Sequence, residues 1–189
     1  MFRLLLLLSL PLYLLDQWSK SYIVANFDLY GSERVVWGDV FTLHHASNTG
    51  VAFGMFNGTA YANYAFTCIS LTALAFLIWG TRKNLFPGAL SRISVALLVA
   101  GIFGNLTDRL FRRGEDGVLF GGGFLQGYVV DFLKFDFGFP PFNPWPSFNV
   151  ADSCVVVAAA LLMIASFTEV PKPQAQPEAP GPDDQGKES

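Results

Sequence analysis

Charge is scarce in this chain. Of its 189 residues only 14% are Asp, Glu, Lys or Arg, against roughly 25% in soluble domains. The formal net charge is −3 and no basic stripe runs along the sequence, so no nucleic-acid partner is expected. Cysteine is nearly absent. Cys68 and Cys154 lie in apolar runs, too far apart for any metal-site spacing, and read as two small buried hydrophobes. Histidine is limited to the adjacent pair His44-His45. Only one of two neighbours can face a given site, and no acidic or Cys cluster adds ligands, so no metal or other cofactor is expected. Nor is there an internal repeat, or a Lys-Ser/Thr after Gly121-Gly122-Gly123 to make a phosphate cradle. With no histidine in the region of Ser147 and Ser153, a serine nucleophile has little support.

Apolar residues are abundant instead, at 52%, with 15% aromatic. A membrane-spanning helix needs about 20 mainly apolar residues, and four segments meet that need. They are Phe2 to about Ala25, interrupted by Asp16 and Lys20; Tyr61 to Trp79, without a charge; about Leu90 to Leu110, ending on Asp108-Arg109; and Phe148 to Phe167, with Asp152 near its start. The expected fold is an all-α membrane protein with four transmembrane helices and a small β element. Arg3 followed by Leu4–Leu15 also resembles a secretory signal peptide. No small-x-small cleavage site follows promptly and apolar character resumes after Lys20, which favours an uncleaved span.

Lys and Arg in the loops set the orientation. Arg3, the link with Arg82, Lys83 and Arg92, and Lys172 place both termini in the cytoplasm. Arg109, Arg112 and Arg113 at the outer end of the third span oppose that rule, so protein contacts must hold them. Two long outer segments follow, about Asn26–Ala60 and Phe111–Ser147. Alternation at Val35, Trp37, Val40 and Thr42 predicts short strands at the membrane surface, and Trp79 and Trp145 fall near the interfaces. Residues 1–168 form one domain, and 169–189, rich in Pro, Gln, Glu and Asp, read as a disordered cytoplasmic tail.

Charges inside a span need a partner or a purpose. Asp16 and Lys20, four apart, share a helix face and fit a structural ion pair. Asn105, Asp108 and Arg109 share another, where an Arg fork beside a carboxylate can brace a loop. Asn149 and Asp152 fit a helix start, with Asn149 or Ser147 as cap and Asp152 at the positive end of the dipole. An aspartate one turn inside an apolar span fits a reactive group equally well. Asp131 sits among Val129, Val130, Phe132 and Leu133, where an isolated ionised carboxylate is costly. A second carboxylate sharing a proton relieves that cost, and Asp152 is the natural companion. Asp136, between Phe135 and Phe137, is the rival to Asp131. Intramembrane Asp and Lys also mark proton-coupled transporters, and a non-catalytic assembly factor would account for the spans alone.

Five motifs occur in order: Asp16-x-x-x-Lys20, Asn48-Thr49-Gly50-Val51-Ala52-Phe53, Gly104-Asn105-Leu106-Thr107-Asp108-Arg109, Val129-Val130-Asp131-Phe132 and Phe148-Asn149-Val150-Ala151-Asp152. Together, over roughly residues 12–168, they resemble the motif series of lipoprotein signal peptidase, or signal peptidase II. The resemblance implies a membrane aspartic endopeptidase of the bacterial inner membrane, with its active site near the outer face. It would cut diacylglyceryl-modified prolipoproteins just before the lipid-modified Cys, as a monomer among membrane lipids and without a cofactor. Globomycin-type peptides would inhibit it. By motif match Asp131 and Asp152 would be the catalytic pair. Asn48, Gly50, Asn105, Asp108, Arg109, Asn149 and Ala151 would line or brace the site, with Asp16 and Lys20 in support. The stretch Gly114–Gly127 is longer than the short link usual in that family.

Overall fold

The computed structural model describes residues 1–49, 60–112, 127–140 and 143–169. Gly50, residues 114–126 of the long link and 170–189 of the tail lie outside them. Helical structure begins at once: α1 (Phe2–Leu4), a π-helical turn (Leu5–Ser9) and α2 (Leu10–Asn26) follow without a break and form one rod. Then come β1 (Arg34–Trp37), β2 (Phe41–Asn48), α3 (Ala60–Arg82), α4 (Ala89–Phe111), β3 (Val129–Phe135) and α5 (Val150–Thr168). Among the described residues α3, α4 and α5 are long and apolar enough to cross a membrane. The N-terminal rod is apolar over much of its length, but its α-helical hydrogen bonding is interrupted by the π turn and it carries Asp16 and Lys20. The architecture is therefore mostly helical, four rods with a small antiparallel sheet.

Helix α4 is the hub. One face is small and buried, with Ser91, Ser94, Ala96, Ala100, Gly101 and Gly104, and small residues let helix backbones approach closely where no water drives them together. Leu97 and Ala100 pack on Cys154 and Ala158 of α5. A Cβ on Gly104 would lie 2.6 Å from Asp16 Oδ2 and 2.8 Å from the Ala151 Cβ. Gly104→Ala is therefore expected to force the N-terminal rod or α5 away from α4, costing about 1–3 kcal/mol. Thermal unfolding in detergent measures the loss, and an unchanged midpoint would contradict the packing. At the other end of α4, Glu169 accepts hydrogen bonds from the Leu90 amide (2.7 Å) and the Ser91 amide (3.2 Å), satisfying donors that a helix start leaves open. Cys154 is buried as expected, but Cys68 is exposed. Helix α3 turns most of its surface outward, so Cys68 faces the surroundings rather than a core.

The sheet has the order β1-β2-β3. The first two strands fall in the outer segment where alternation predicted strands. The third was not anticipated and carries Asp131. Residues Val129–Phe132 are buried on both strand faces, so they lack the alternation that marks a half-buried strand. Ile23 and Phe27 pack against Tyr128, Val130 and Phe132, pinning β3 to the end of α2. Gly127 leads into the strand beside the last turn of α4, its amide donating to Arg109 O at 3.1 Å. A side chain there would collide with the Asp108 carbonyl oxygen.

Candidate active site

Asn149 is where the site is assembled. It is fully buried and caps α5, its Oδ1 accepting from the Asp152 amide at 2.9 Å. Its own backbone N–H donates to Asp152 Oδ2 at 3.2 Å, which closes a reciprocal capping box. The Asn149 Nδ2 group donates to Asp131 Oδ1 at 2.7 Å and reaches Asn105 Oδ1 at 3.2 Å. One residue thus grips a carboxylate on a strand and a carboxylate on a helix. Both readings of Asp152 from sequence, helix-start partner and site member, describe the same side chain.

The remaining oxygens of the two carboxylates are also held. Asn48 Nδ2, on β2, donates to Asp131 Oδ2 at 3.0 Å. Asn105 Nδ2, on α4, donates to Asp152 Oδ1 at 2.7 Å. Four oxygens therefore accept from four uncharged N–H donors, which orient the groups without adding net charge. Burial pushes the Asp131 carboxyl up to about 7, and the neighbouring Asp152 charge pushes in the same direction. Asp136 lies elsewhere. Its amide bonds Val40 O and its Oδ1 accepts from Gly138 N at 2.8 Å, so it shapes the turn after β3.

Beneath this pair lies a layer of buried ions. Lys20 Nζ is 2.8 Å from Asp16 Oδ2, 2.9 Å from Asp108 Oδ2 and 2.9 Å from Asn105 Oδ1. The Asp16–Lys20 pair expected from their spacing is present and gains Asp108 as a third member. Asp16 Oδ1 accepts from the Ala151 amide at 2.9 Å, so the N-terminal rod holds the first turn of α5. Among the described residues no ion pair joins Arg109 to Asp108, the two residues expected to brace a loop, though the Val130 amide reaches Asp108 Oδ2 at 3.5 Å. Its other oxygen takes Arg112 Nε at 3.0 Å, because residues four apart on a helix meet and consecutive ones diverge. Arg109 instead lies with its guanidinium 5.2 Å from the centre of the Phe66 ring, one Nη bonding Asn105 O at 3.4 Å. Arg109 and Arg112 are thus held by protein contacts, and Arg113, the third arginine of that end, lies outside the described residues.

Gln17 was not singled out, and His44 was weighed only as a metal ligand. Gln17 Nε2 contacts Asp16 Oδ2 (3.1 Å), Gly104 O (3.0 Å) and Asp108 Oδ1 (3.3 Å). Its place next to Asp16 in a polar stretch was the available signal. His44 Nε2 lies 2.6 Å from Ser147 Oγ, although no histidine was expected near that serine. The sheet brings β2 against the segment before α5, a proximity about a hundred residues apart in sequence. His44 Nδ1 is 3.9 Å from Glu33, too far for the hydrogen bond that orients a catalytic imidazole, so the serine reading gains nothing. Among the described residues no group of acids, His and Cys is arranged to hold a metal.

Paired carboxylates, one buried and one half-buried, gripped by a shared asparagine in a chain whose helices suit a bilayer, are the equipment of a membrane aspartic hydrolase. The sequence profile of Signal peptidase (SPase) II matches residues 8–168. The chain belongs to that family, the lipoprotein signal peptidases, and is an aspartic peptidase. It is 34% identical to the lipoprotein signal peptidase of Syntrophotalea carbinolica over 174 residues, covering 92% of this chain and 97% of that one. The Psychromonas ingrahamii lipoprotein signal peptidase is 32% identical over 165 residues, covering 86% and 84%. A bacterial membrane enzyme solved by the in meso method at 1.9 Å superposes with a TM-score of 0.68 at 25% identity, covering 88% of this chain and 94% of that chain. The transporter and assembly-factor readings fall away with this membership.

Proposed function

We propose that the chain removes signal peptides from diacylglyceryl-modified prolipoproteins, cutting before the lipid-modified Cys, with Asp131 and Asp152 as its catalytic pair. The observation that carries this is the double grip of Asn149 on both carboxylates. In this reading the pair shares one proton, assigned to Asp131, whose burial raises its hold on a proton. Asp152 takes a proton from water as the water oxygen attacks the scissile carbonyl carbon. Asp131 gives its proton to the carbonyl oxygen, and a tetrahedral diol forms. Collapse of the diol passes the Asp152 proton to the departing amine and returns the other to Asp131. Arg109, buried beside the pair with Nε unbonded among the described residues, has a donor left to hold substrate backbone.

The N-terminal rod serves as the fourth span, with both termini and the Arg82 link in the cytoplasm of a bacterial inner membrane. That sets the carboxylates near the outer face, where water enters and the substrate's lipid stays in the bilayer. The test is cleavage by the purified chain in detergent of a prolipoprotein with and without its diacylglyceryl group. Cutting before the Cys of the modified form alone is expected. Equal cutting of both, or of neither, overturns the reading.

A further inference from the structure

Away from the carboxylates, the N-terminal rod and α4 leave an apolar groove open along their junction. Two adjoining stretches of about 260 and 360 Å3 share Leu5, Val99 and Phe103 as walls. One end reaches Arg82 at the last turn of α3. The other ends at Tyr13, whose hydroxyl meets Thr107 Oγ1 at 3.3 Å. That contact closes the groove below the Asp16–Lys20 layer and separates it from the site. From Met1 to Tyr13, which both line it, the rod rises about 18 Å. One leaflet of a hydrocarbon core is about 15 Å. The π turn Leu5–Ser9 falls within this wall, and such turns often mark places where a helix is shaped for use.

Length, apolar lining and a cationic end at Arg82 fit one kind of occupant. We propose that the groove holds an acyl chain of an anionic phospholipid from the cytoplasmic leaflet, with its phosphate against Arg82. The inference rests on the orientation given under the proposed function. A signal peptide is the alternative occupant, but its cytoplasmic end is positively charged and would meet Arg82 with like charge.

The test titrates the purified full chain in detergent with phosphatidylglycerol or phosphatidylcholine of matched chains, counting bound lipid by native mass spectrometry. Phosphatidylglycerol is expected to bind about fivefold tighter, the effect of one cation at a lipid surface. Arg82→Gln should bring that ratio near one while prolipoprotein cleavage persists. Val99→Trp, which fills the groove, should weaken both lipids about tenfold, since two displaced methylenes suffice for that. Leu5→Trp repeats the test from the opposite wall if the first variant does not fold. Equal binding of both lipids by the unaltered chain, or unchanged binding in the filled groove, overturns the proposal. So does a rise in prolipoprotein KM in Val99→Trp with lipid binding intact, which assigns the groove to the signal peptide. Labelling of Lys83 by a membrane-impermeant amine reagent reads the orientation separately. Reaction only in opened cells is expected, and reaction in intact cells removes the leaflet assignment whatever the lipid selectivity.

Discussion

Asp131→Asn and Asp152→Asn are each expected to lower kcat for prolipoprotein cleavage on the order of a thousandfold, the scale of a lost general acid or base, with KM little changed. The substitution keeps the shape but removes the titrating group. It also sets an amide NH2 where one of two N–H donors now points, since both oxygens of each aspartate accept a hydrogen bond. Thermal unfolding of each variant therefore accompanies the kinetics, so that lost chemistry is separated from lost fold. Asp136→Asn, at its turn, should retain most activity. Substantial cleavage by either of the first two variants removes that residue from the pair.

The pH profile tests the same pair without a mutation. With Asp131 raised to about 7 from an ordinary value of 3.8, the shared proton is present below neutrality and leaves as pH rises through about 7. The rate should fall along that limb, and a profile flat into the alkaline range would contradict a proton held on Asp131. The linked effect on stability has a definite sign. Between about pH 4 and 7 the folded chain holds a proton that the unfolded chain releases, so this group's contribution is complete at low pH and declines across that window.

The second large effect is expected at Lys20. Lys20→Met leaves Asp16 and Asp108, each 1% exposed, without their shared cation. Breaking a buried pair by removing one partner costs about 3–5 kcal/mol, on the order of 10 °C in unfolding midpoint for a chain of this size. The loss should reach the site as well. Lys20 Nζ fixes Asn105 Oδ1, and that same amide donates to Asp152. Lys20→Met combined with Asp16→Asn should recover part of the stability, because Asp108 keeps Arg112 while Asp16 has no second cation among the described residues. A single variant with an unchanged midpoint and full activity would show that the ion layer braces nothing.

The helices were legible because a bilayer-sized apolar run leaves little choice of structure. Each of the four segments lies within a few residues of a helix or helical rod. Ion pairs within one helix were legible where spacing alone decides, as for Asp16 and Lys20. Partners across elements were not. Asp108 meets Lys20 from another rod, and nothing local to either residue announces it. Strand β3 was missed because burial on both faces erases alternation. Its second strand neighbour explains why Asn48 matters: Ala46 pairs with Asp131 and Asn48 with Val129, so the Asn48 side chain arrives at the carboxylate through register, over a sequence distance that motif order alone does not measure.

The charges around the site have a simple sum among the described residues. Lys20, Arg109 and Arg112 stand against Asp16, Asp108, Asp131 and Asp152, three cations to four carboxylates. One proton on the aspartate pair makes the group electroneutral. A neutral peptide bond entering the site leaves that balance intact, and passing a proton from water to one aspartate while the other gives its own away moves charge without creating any. Among buried side chains, where separated charge is expensive, a reaction that begins, proceeds and ends at zero net charge would spare the protein the need to bring in a compensating ion.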